Sequence, residues 1–279
     1  MFTRHCVVLA AACAVAGSAA AASVELQKGT LGATIADSGN FDYSAYPALA
    51  YGGREFVNVG TPSSWYWFSA GTTQLVAQYG ANPFGASTWA AGPGDATTVG
   101  AFGDWSFSQT VHLASGNKLT VHLNLTNTGD SDLDGVRWGV GFDPDQDYGI
   151  GTPFTFNRIL GQGAGAAVSA YGEQSGLTVT LANDTAAGAS AVAYVNAGDC
   201  CFAVDPAKAL ANGQAAGYGR YGDDSISLAY DLGTVAAGQT VSIGYSYSFA
   251  PAAIPEPATA AMMLGGLALL AARRRRAAC

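Results

Sequence analysis

Charge is what this sequence has least of. Lys, Arg, Asp and Glu make up 11% of the 279 residues, against about a quarter in average usage. The little charge present is lopsided. Setting aside Arg4, Glu256 and Arg273 to Arg276 at the two ends, the totals of 12 basic and 20 acidic residues fall to 7 and 19. A body with a formal charge near −12 repels phosphate backbones and anionic lipid, which excludes nucleic acid as a partner. Cysteine is scarce as well. Cys6 and Cys13 lie in an N-terminal apolar stretch and Cys279 ends the chain, leaving only the neighbours Cys200 and Cys201. No disulfide framework and no Cys-x-x-Cys metal knuckle can be built from them. Adjacent Cα atoms are about 3.8 Å apart, below the usual disulfide range, so a bond between the two would be strained. Two pairings with other chains, or two quiet thiols, fit the sequence equally well.

Histidine is missing from most of the chain, and catalytic signatures are missing with it. His112 and His122 are the only histidines beyond His5. Both fall on the polar side of alternating stretches. No Gly-x-Ser-x-Gly elbow and no His-Glu-x-x-His occur, and Gly161 to Gly165 follows no βαβ pattern. The sequence therefore predicts no enzyme. Carboxylate pairs of the kind that hydrolyse glycosides are spatial, so a secreted hydrolase stays as the remotest alternative. Sustained helical periodicity is absent too, and no fixed repeat marks a solenoid.

The two ends carry most of what is present. Arg4 and His5 precede the apolar stretch Cys6 to Gly17, and the small residues Ser18 to Ala22 follow. That order predicts a secretory signal peptide over residues 1–22, cut near Ala20 or Ala22 by signal peptidase. At the other end, Pro255-Glu256-Pro257 precedes an uncharged run from Ala258 to Ala272 and the block Arg273-Arg274-Arg275-Arg276. The prolines fix φ and remove donors, so no helix runs back through them. The Ala- and Leu-rich run favours helix. Its fifteen residues reach only about 22 Å against a hydrocarbon core of about 30 Å. Arginines after such a run stay cytoplasmic and leave everything before them outside.

This three-part tail closely resembles the PEP-CTERM sorting tail. The resemblance implies export by a Gram-negative bacterium and a transient hold in the inner membrane. It further implies cutting near Pro255-Glu256-Pro257 by a membrane transpeptidase of the exosortase type, with release to the envelope or extracellular matrix. The expected division is a signal peptide at 1–22, a body at 23–250 and a sorting tail at 251–279.

Between the ends the signal is β. Short strands are expected at Val24 to Gly29, Leu31 to Ala36, Glu55 to Val59, Trp65 to Phe68 and Leu75 to Tyr79. The stretch from Gly80 to Gly100, rich in Gly, Ala, Pro and Thr, reads as a long loop containing Trp89. In the centre, Trp105, Phe107, Val111 and Leu113 alternate with polar residues. Leu119, Val121, Leu123 and Leu125 do the same after Ser115-Gly116-Asn117. That is a hairpin with one apolar face, and its register sets Thr110 opposite His122 and Thr120 opposite His112. Val136 to Phe142, Ala166 to Ala170, Leu177 to Leu181, Ala191 to Val195, Ile226 to Tyr230 and Val241 to Phe249 complete the set. Each apolar face needs a second sheet to cover it. The fold class predicted is all-β, an antiparallel β-sandwich with long Gly-rich loops, flanked by a signal helix and a short C-terminal transmembrane helix. Thr126-Asn127-Thr128-Gly129, Phe142 to Asp147 and Asp231-Leu232-Gly233-Thr234 resemble secreted bacterial β-sandwich domains of unassigned function, which supports the fold alone.

The best candidate site is Asp143-Pro144-Asp145-Gln146-Asp147. Alternate carboxylates after a strand suit a hard cation, and Ca2+ takes six to eight oxygens. The EF-hand pattern is not met, with Tyr148 where the turn glycine belongs and Phe154 where the closing Glu would stand. Asn157, or Asp223-Asp224 from a distant loop, would add oxygens if the fold brought them near. A rival run, Asp130 to Gly135, reads better as a polar strand face. Trp65, Tyr66 and Trp67 alternate in facing, so one side of that strand points away from the core and would offer a platform for sugar rings. From these readings and the tail, the expected role is structural or adhesive in an exopolysaccharide-rich matrix, with a carbohydrate-binding module as the alternative.

Overall fold

The computed structural model describes residues 23–185 and 189–251. Eighteen strands and one short helix follow one another there. The first half holds β1 (Val24–Lys28), β2 (Leu31–Ile35), β3 (Leu49–Tyr51), β4 (Arg54–Glu55), β5 (Ser64–Ala70), β6 (Thr73–Ala77), β7 (Ser87–Gly92), β8 (Asp95–Phe102) and β9 (Trp105–Ser115). Then come β10 (Lys118–Asn127), β11 (Leu133–Phe142), β12 (Thr155–Gly161), β13 (Ala167–Gly172), β14 (Leu177–Asn183) and β15 (Ala191–Asn196). Helix α1 (Pro206–Ala211) precedes β16 (Gly219–Gly222), β17 (Ser225–Val235) and β18 (Thr240–Pro251).

A nine-stranded sheet runs β16-β12-β13-β14-β18-β10-β9-β8-β7 and faces a five-stranded sheet, β15-β17-β11-β5-β6. All the strand pairings are antiparallel. The antiparallel sandwich predicted from the alternation is the fold. Its core is aromatic where the sheets meet: Tyr66 of β5 stacks on Trp138 of β11 at 4.7 Å and on Phe107 of β9 at 5.5 Å. A third, four-stranded sheet, β1-β2-β3-β4, lies against β18, with Phe56 edge-on to Phe249 at 5.2 Å.

The central hairpin has the expected register. Thr110 pairs with His122 and His112 with Thr120, and the shift from strict pairing falls between Lys118 and Leu119 at the turn. Inward positions of β9 and β10 are buried and outward ones open, the period-two pattern of a sheet covered on one face. The 80–100 stretch departs from expectation. It contains β7 and most of β8, which extend the nine-stranded sheet to its edge. The inward residues of these two strands, Thr88, Ala96 and Thr98, are too small to register as an apolar face, while Trp89 stands on the open side.

Trp65 also finds an unexpected home. It turns away from the sandwich interior, as alternation requires, yet is fully buried. Val204 and Ala209, from α1 and the chain before it, cover it together with Tyr194 and Ala229. Asp205 caps α1 by accepting from Ala207 N at 2.8 Å, and Pro206 at its first turn is pre-set for helix. No exposed aromatic platform remains at Trp65 or Tyr66.

Close packing between β5, β11 and β17 depends on Gly141. A Cβ there would lie 2.5 Å from Trp65 Cζ2 and 2.6 Å from the Ile226 carbonyl oxygen. Because the second contact is backbone, the strand itself must shift. Gly141→Ala is expected to cost about 1–3 kcal/mol or more in urea unfolding, as overpacking does. Unchanged stability would contradict the packing described.

Candidate metal centre

One end of the five-stranded sheet gathers four chain segments. Phe142, the last residue of β11, pairs with Ile226 of β17 on one side and with Ser64 of β5 on the other. Asn196, the last residue of β15, pairs with Ser225. The chain leaving β11, entering β17, leaving β15 and entering β5 therefore meets at one edge. Residues 143–147, 223–224, 199–201 and 60–63 are brought together by strand register.

Asp143 and Asp145 stand two residues apart, so their side chains leave the chain on the same side. Backbone bonds hold them, Asp143 N donating to Ser63 O at 2.9 Å and Asp145 N to Phe56 O at 3.1 Å. Both are 3% exposed. Asp223 reaches them from the loop before β17, and one carboxylate oxygen from each of the three lies within 4.8 Å of the others. Asp145 Oδ1 is buried and has no hydrogen-bond partner. Among the described residues the ion pairs are His112–Asp95, Lys118–Asp184 and Arg220–Asp224, none involving these three carboxylates. Arg54 lies close by, but its guanidinium donates to the carbonyls of Gln146 at 2.8 Å and Tyr148 at 2.6 Å.

Burial and mutual repulsion set the electrostatics. Burial is the main cause pushing Asp143 up to about 9, with the charges of Asp145, Asp223, Asp224 and Asp199 adding to it. Asp145 is pushed up to about 8, chiefly by burial and then by Asp223. Asp223 is raised as well, by burial and then by Asp224. A positive charge is what this cluster calls for.

The third expected ligand, Asp147, goes elsewhere. A turn closed by Tyr148 N donating to Asp145 O breaks the alternation after Asp145. The Asp147 carboxylate, 1% exposed, accepts from Gln174 N at 2.7 Å and Ser175 N at 2.8 Å and so ties down the β13–β14 turn. Gln146 points inward and donates to Ala170 O and Leu177 O. Asn157 bonds with Thr155 and does not join the cluster. Asp224 takes a 2.8 Å bond from Arg220 Nε and a 2.6 Å bond from Gly198 N. In the rival run, Asp132 accepts from Ala237 N and Asp134 from Thr234 Oγ1, the bonds of an exposed strand start.

Gly60 and the cysteine pair carried no signal in the sequence that placed them at this site. Gly60, at φ +63°, lets its loop approach so closely that a Cβ there would sit 2.6 Å from Asp145 Oδ2. Cys200 and Cys201, joined as a disulfide between neighbours, lie beside Asp143. Together these residues line an open pocket of about 270 Å³. Past the cysteines it continues into a broader hollow of about 500 Å³ flanked by Phe154, Phe202 and Tyr221.

The arrangement suits a hard cation. Ligand oxygens on opposite sides of one Ca2+ are about 4.6–5.2 Å apart, twice the Ca–O distance, so oxygens within 4.8 Å of one another fit around a single ion. The open side of the pocket leaves room for the remaining oxygens.

The tail can be placed by comparison. Residues 253–276 match the PEP-CTERM protein-sorting motif. A chain with this motif is exported and sorted through an exosortase of a Gram-negative bacterium. Pro255, Glu256, Pro257 and Arg273 to Arg276 all fall within the matched span, and they lie outside the described residues, as do the expected signal and tail helices. Among the described residues no helix is long and apolar enough to cross a membrane. No curated protein sequence matches the chain. Among solved structures, a bacterial glucoamylase complexed with acarbose is similar at TM-score 0.50 and 11% identity, over 85% of this chain and 32% of that one. A polysaccharide lyase matches at TM-score 0.36 and 14% identity, over 70% of this chain and 26% of that one. The chain thus spans about a third or less of either structure. The likeness to the glucoamylase is one of fold.

Proposed function

We propose that the exported body is a structural or adhesive component of a polysaccharide-rich matrix, and that a Ca2+ ion held by Asp143, Asp145 and Asp223 completes its binding face. The observation that carries this reading is the largely buried carboxylate cluster with an unpartnered Asp145 oxygen and, among the described residues, no ion-pairing cation. Signal peptidase removes residues 1–22, the apolar run holds the chain in the inner membrane, and an exosortase-like transpeptidase cuts near Pro255-Glu256-Pro257. The test is retention of the protein on extracellular matrix from the producing cells. Retention is expected to fall at least about tenfold on chelation and to be low for Asp145→Asn with or without Ca2+, in line with the loss of a charged ligand. Equal retention in all four conditions would overturn the proposal.

A second reading, a carbohydrate-binding module, is favoured by one observation. The start of strand β12 is inverted, burying Thr155 and Asn157 while Phe156 faces out, and Leu160 is exposed beyond the buried Ile159. Phe154, Tyr221 and Phe202 join them on the surface, and Phe202 is 66% exposed. Exposed aromatics gathered at one edge mark a contact surface, and this one adjoins the carboxylate centre. On a glycan array, Phe202→Ala and Tyr221→Ala are expected to lose binding that the parent protein shows. An array on which the parent binds nothing removes this reading.

A further inference from the structure

The same pocket holds a second set of ligand atoms. Asp143 shares one grouping with Asp145 and Asp223 and another with Cys200 and Cys201, whose sulfurs and the Asp143 carboxylate oxygen lie within 4.8 Å of one another. We infer that the cysteine pair sets which class of metal ion this centre takes. Closed as a disulfide, it leaves an oxygen site; opened to two thiols, it adds two sulfur ligands beside Asp143 and makes a site for Zn2+.

The chemistry separates the two states. Sulfurs bonded to each other have no thiolate charge to offer a metal, whereas two thiolates are soft ligands that select Zn2+ over Ca2+. Two sulfurs on one tetrahedral Zn2+ sit about 3.7 Å apart, from a Zn–S distance of about 2.3 Å, so the S–S bond must open before both can bind. Asp143 supplies a third ligand, and either Asp145 or Asp223 is close enough to Asp143 to be the fourth.

The fold holds the backbone that carries the two cysteines once the bond is open. The Cys201 carbonyl accepts from Gln78 Nε2 at 2.8 Å, from Ser63 Oγ at 3.3 Å and from the Tyr79 hydroxyl. Gln78 Oε1 also accepts from Ala203 N at 3.1 Å, and Asp199 Oδ1 from Cys201 N at 3.3 Å. These bonds tie the loop to the ends of β5 and β6 and do not involve sulfur. Both cysteines line the open pocket, so a reductant and an ion can reach them. Opening takes two electrons and two protons from an external dithiol, which becomes a disulfide; binding Zn2+ then displaces the two thiol protons. An oxidising envelope keeps the pair closed, and a local dithiol donor opens it. The inference stands whether or not the oxidised centre holds Ca2+, which calorimetry with Ca2+ on the oxidised protein measures separately.

The test titrates the exported protein with Cd2+, a spectroscopic stand-in for Zn2+, before and after treatment with a dithiol that is then removed by gel filtration without oxygen. The thiolate-to-metal absorption band is the readout. The Cys200→Ser/Cys201→Ser double variant corrects for other cysteines, and far-ultraviolet circular dichroism confirms that each form is folded. Expected are no band in the oxidised protein, a band saturating at one equivalent after reduction, and affinity at least about tenfold lower in Asp143→Asn. Two free thiols with no band overturn the inference. So does a band of equal affinity in Asp143→Asn, because the cysteines would then bind without the centre.

Discussion

Stripped of divalent ions, the protein is expected to lose stability steadily as pH rises from about 4 to about 9, and saturating Ca2+ is expected to abolish most of that loss. The unfolded chain protonates Asp near 3.9. In the fold, burial and neighbouring carboxylates hold Asp143 up to about 9 and Asp145 up to about 8. Between those limits the folded protein binds more protons than the unfolded one, so stability falls as pH rises. The stabilisation is fully present below the unfolded value and is lost as pH passes the folded values. One unit of difference corresponds to about 1.4 kcal/mol, and because the two groups repel each other they act as a pair, so several kcal/mol is the scale of the loss. Bound Ca2+ replaces the protons and at a hundred times its dissociation constant adds about 2.7 kcal/mol.

Asp145→Asn separates the two effects. Without metal at pH 8 it is expected to be more stable than the parent by about 1–3 kcal/mol, since a buried charge is removed. It should gain nothing from Ca2+. Urea unfolding at pH 5 and pH 8.5, in chelator and in Ca2+, measures all of this. A pH-independent stability in chelator would contradict the electrostatic picture. A Ca2+ gain that survives in Asp145→Asn would move the ion elsewhere.

The second large effect is expected at Glu55. Its side chain is 4% exposed and serves as the hub of the small sheet. Oε1 accepts from the backbone nitrogens of Leu49, Phe56, Val57 and Asn58 at 2.9–3.2 Å, and Oε2 accepts from Ala48 N at 3.0 Å. Strand β4 ends at Glu55; Phe56 N also donates to Leu49 O at 2.8 Å, while the amides of Ala48, Leu49, Val57 and Asn58 turn to the carboxylate. Each buried donor left without a partner costs about 1–3 kcal/mol. Glu55→Ala is therefore expected to remove more than about 4 kcal/mol, a large share of the 5–15 kcal/mol typical of a domain. Glu55→Gln keeps one acceptor oxygen and should fall between. Hydrogen exchange at the Ala48 and Leu49 amides would show whether the small sheet opens first. A loss below about 1 kcal/mol in Glu55→Ala would mean that water or relaxation satisfies these donors.

Legibility followed burial. Where large apolar residues alternate with polar ones across a one-sided sheet, as along β9 and β10, the sequence predicted strand, face and even the pairing of Thr110 with His122. It failed where the pattern is carried by small residues, as in β7 and β8, or reversed, as at the start of β12 with Phe156 outside and Asn157 inside. It also failed where a second layer intervenes. Alternation correctly turned Trp65 away from Tyr66, but only α1 made that outward face another buried one.

The candidate centre divides in the same way. Asp143 and Asp145 were readable because local chain geometry puts neighbours two apart on one side, and local geometry is written in sequence. Asp147 looked equivalent, yet a single turn sent it to the β13–β14 loop. Asp223, Gly60 and the cysteines arrive through the pairing of β11 with β17 and β5, and of β15 with β17. Long-range register of that kind brings together residues as far apart as 60 and 223 without a local pattern in either. The sequence alone determined the β-class, the acidic body and the sorting tail, since composition, period and motif order are properties of the chain. Tertiary structure alone decided which carboxylates share a pocket and that two cysteines stand beside them, because that depends on which strand ends the sheet sets side by side.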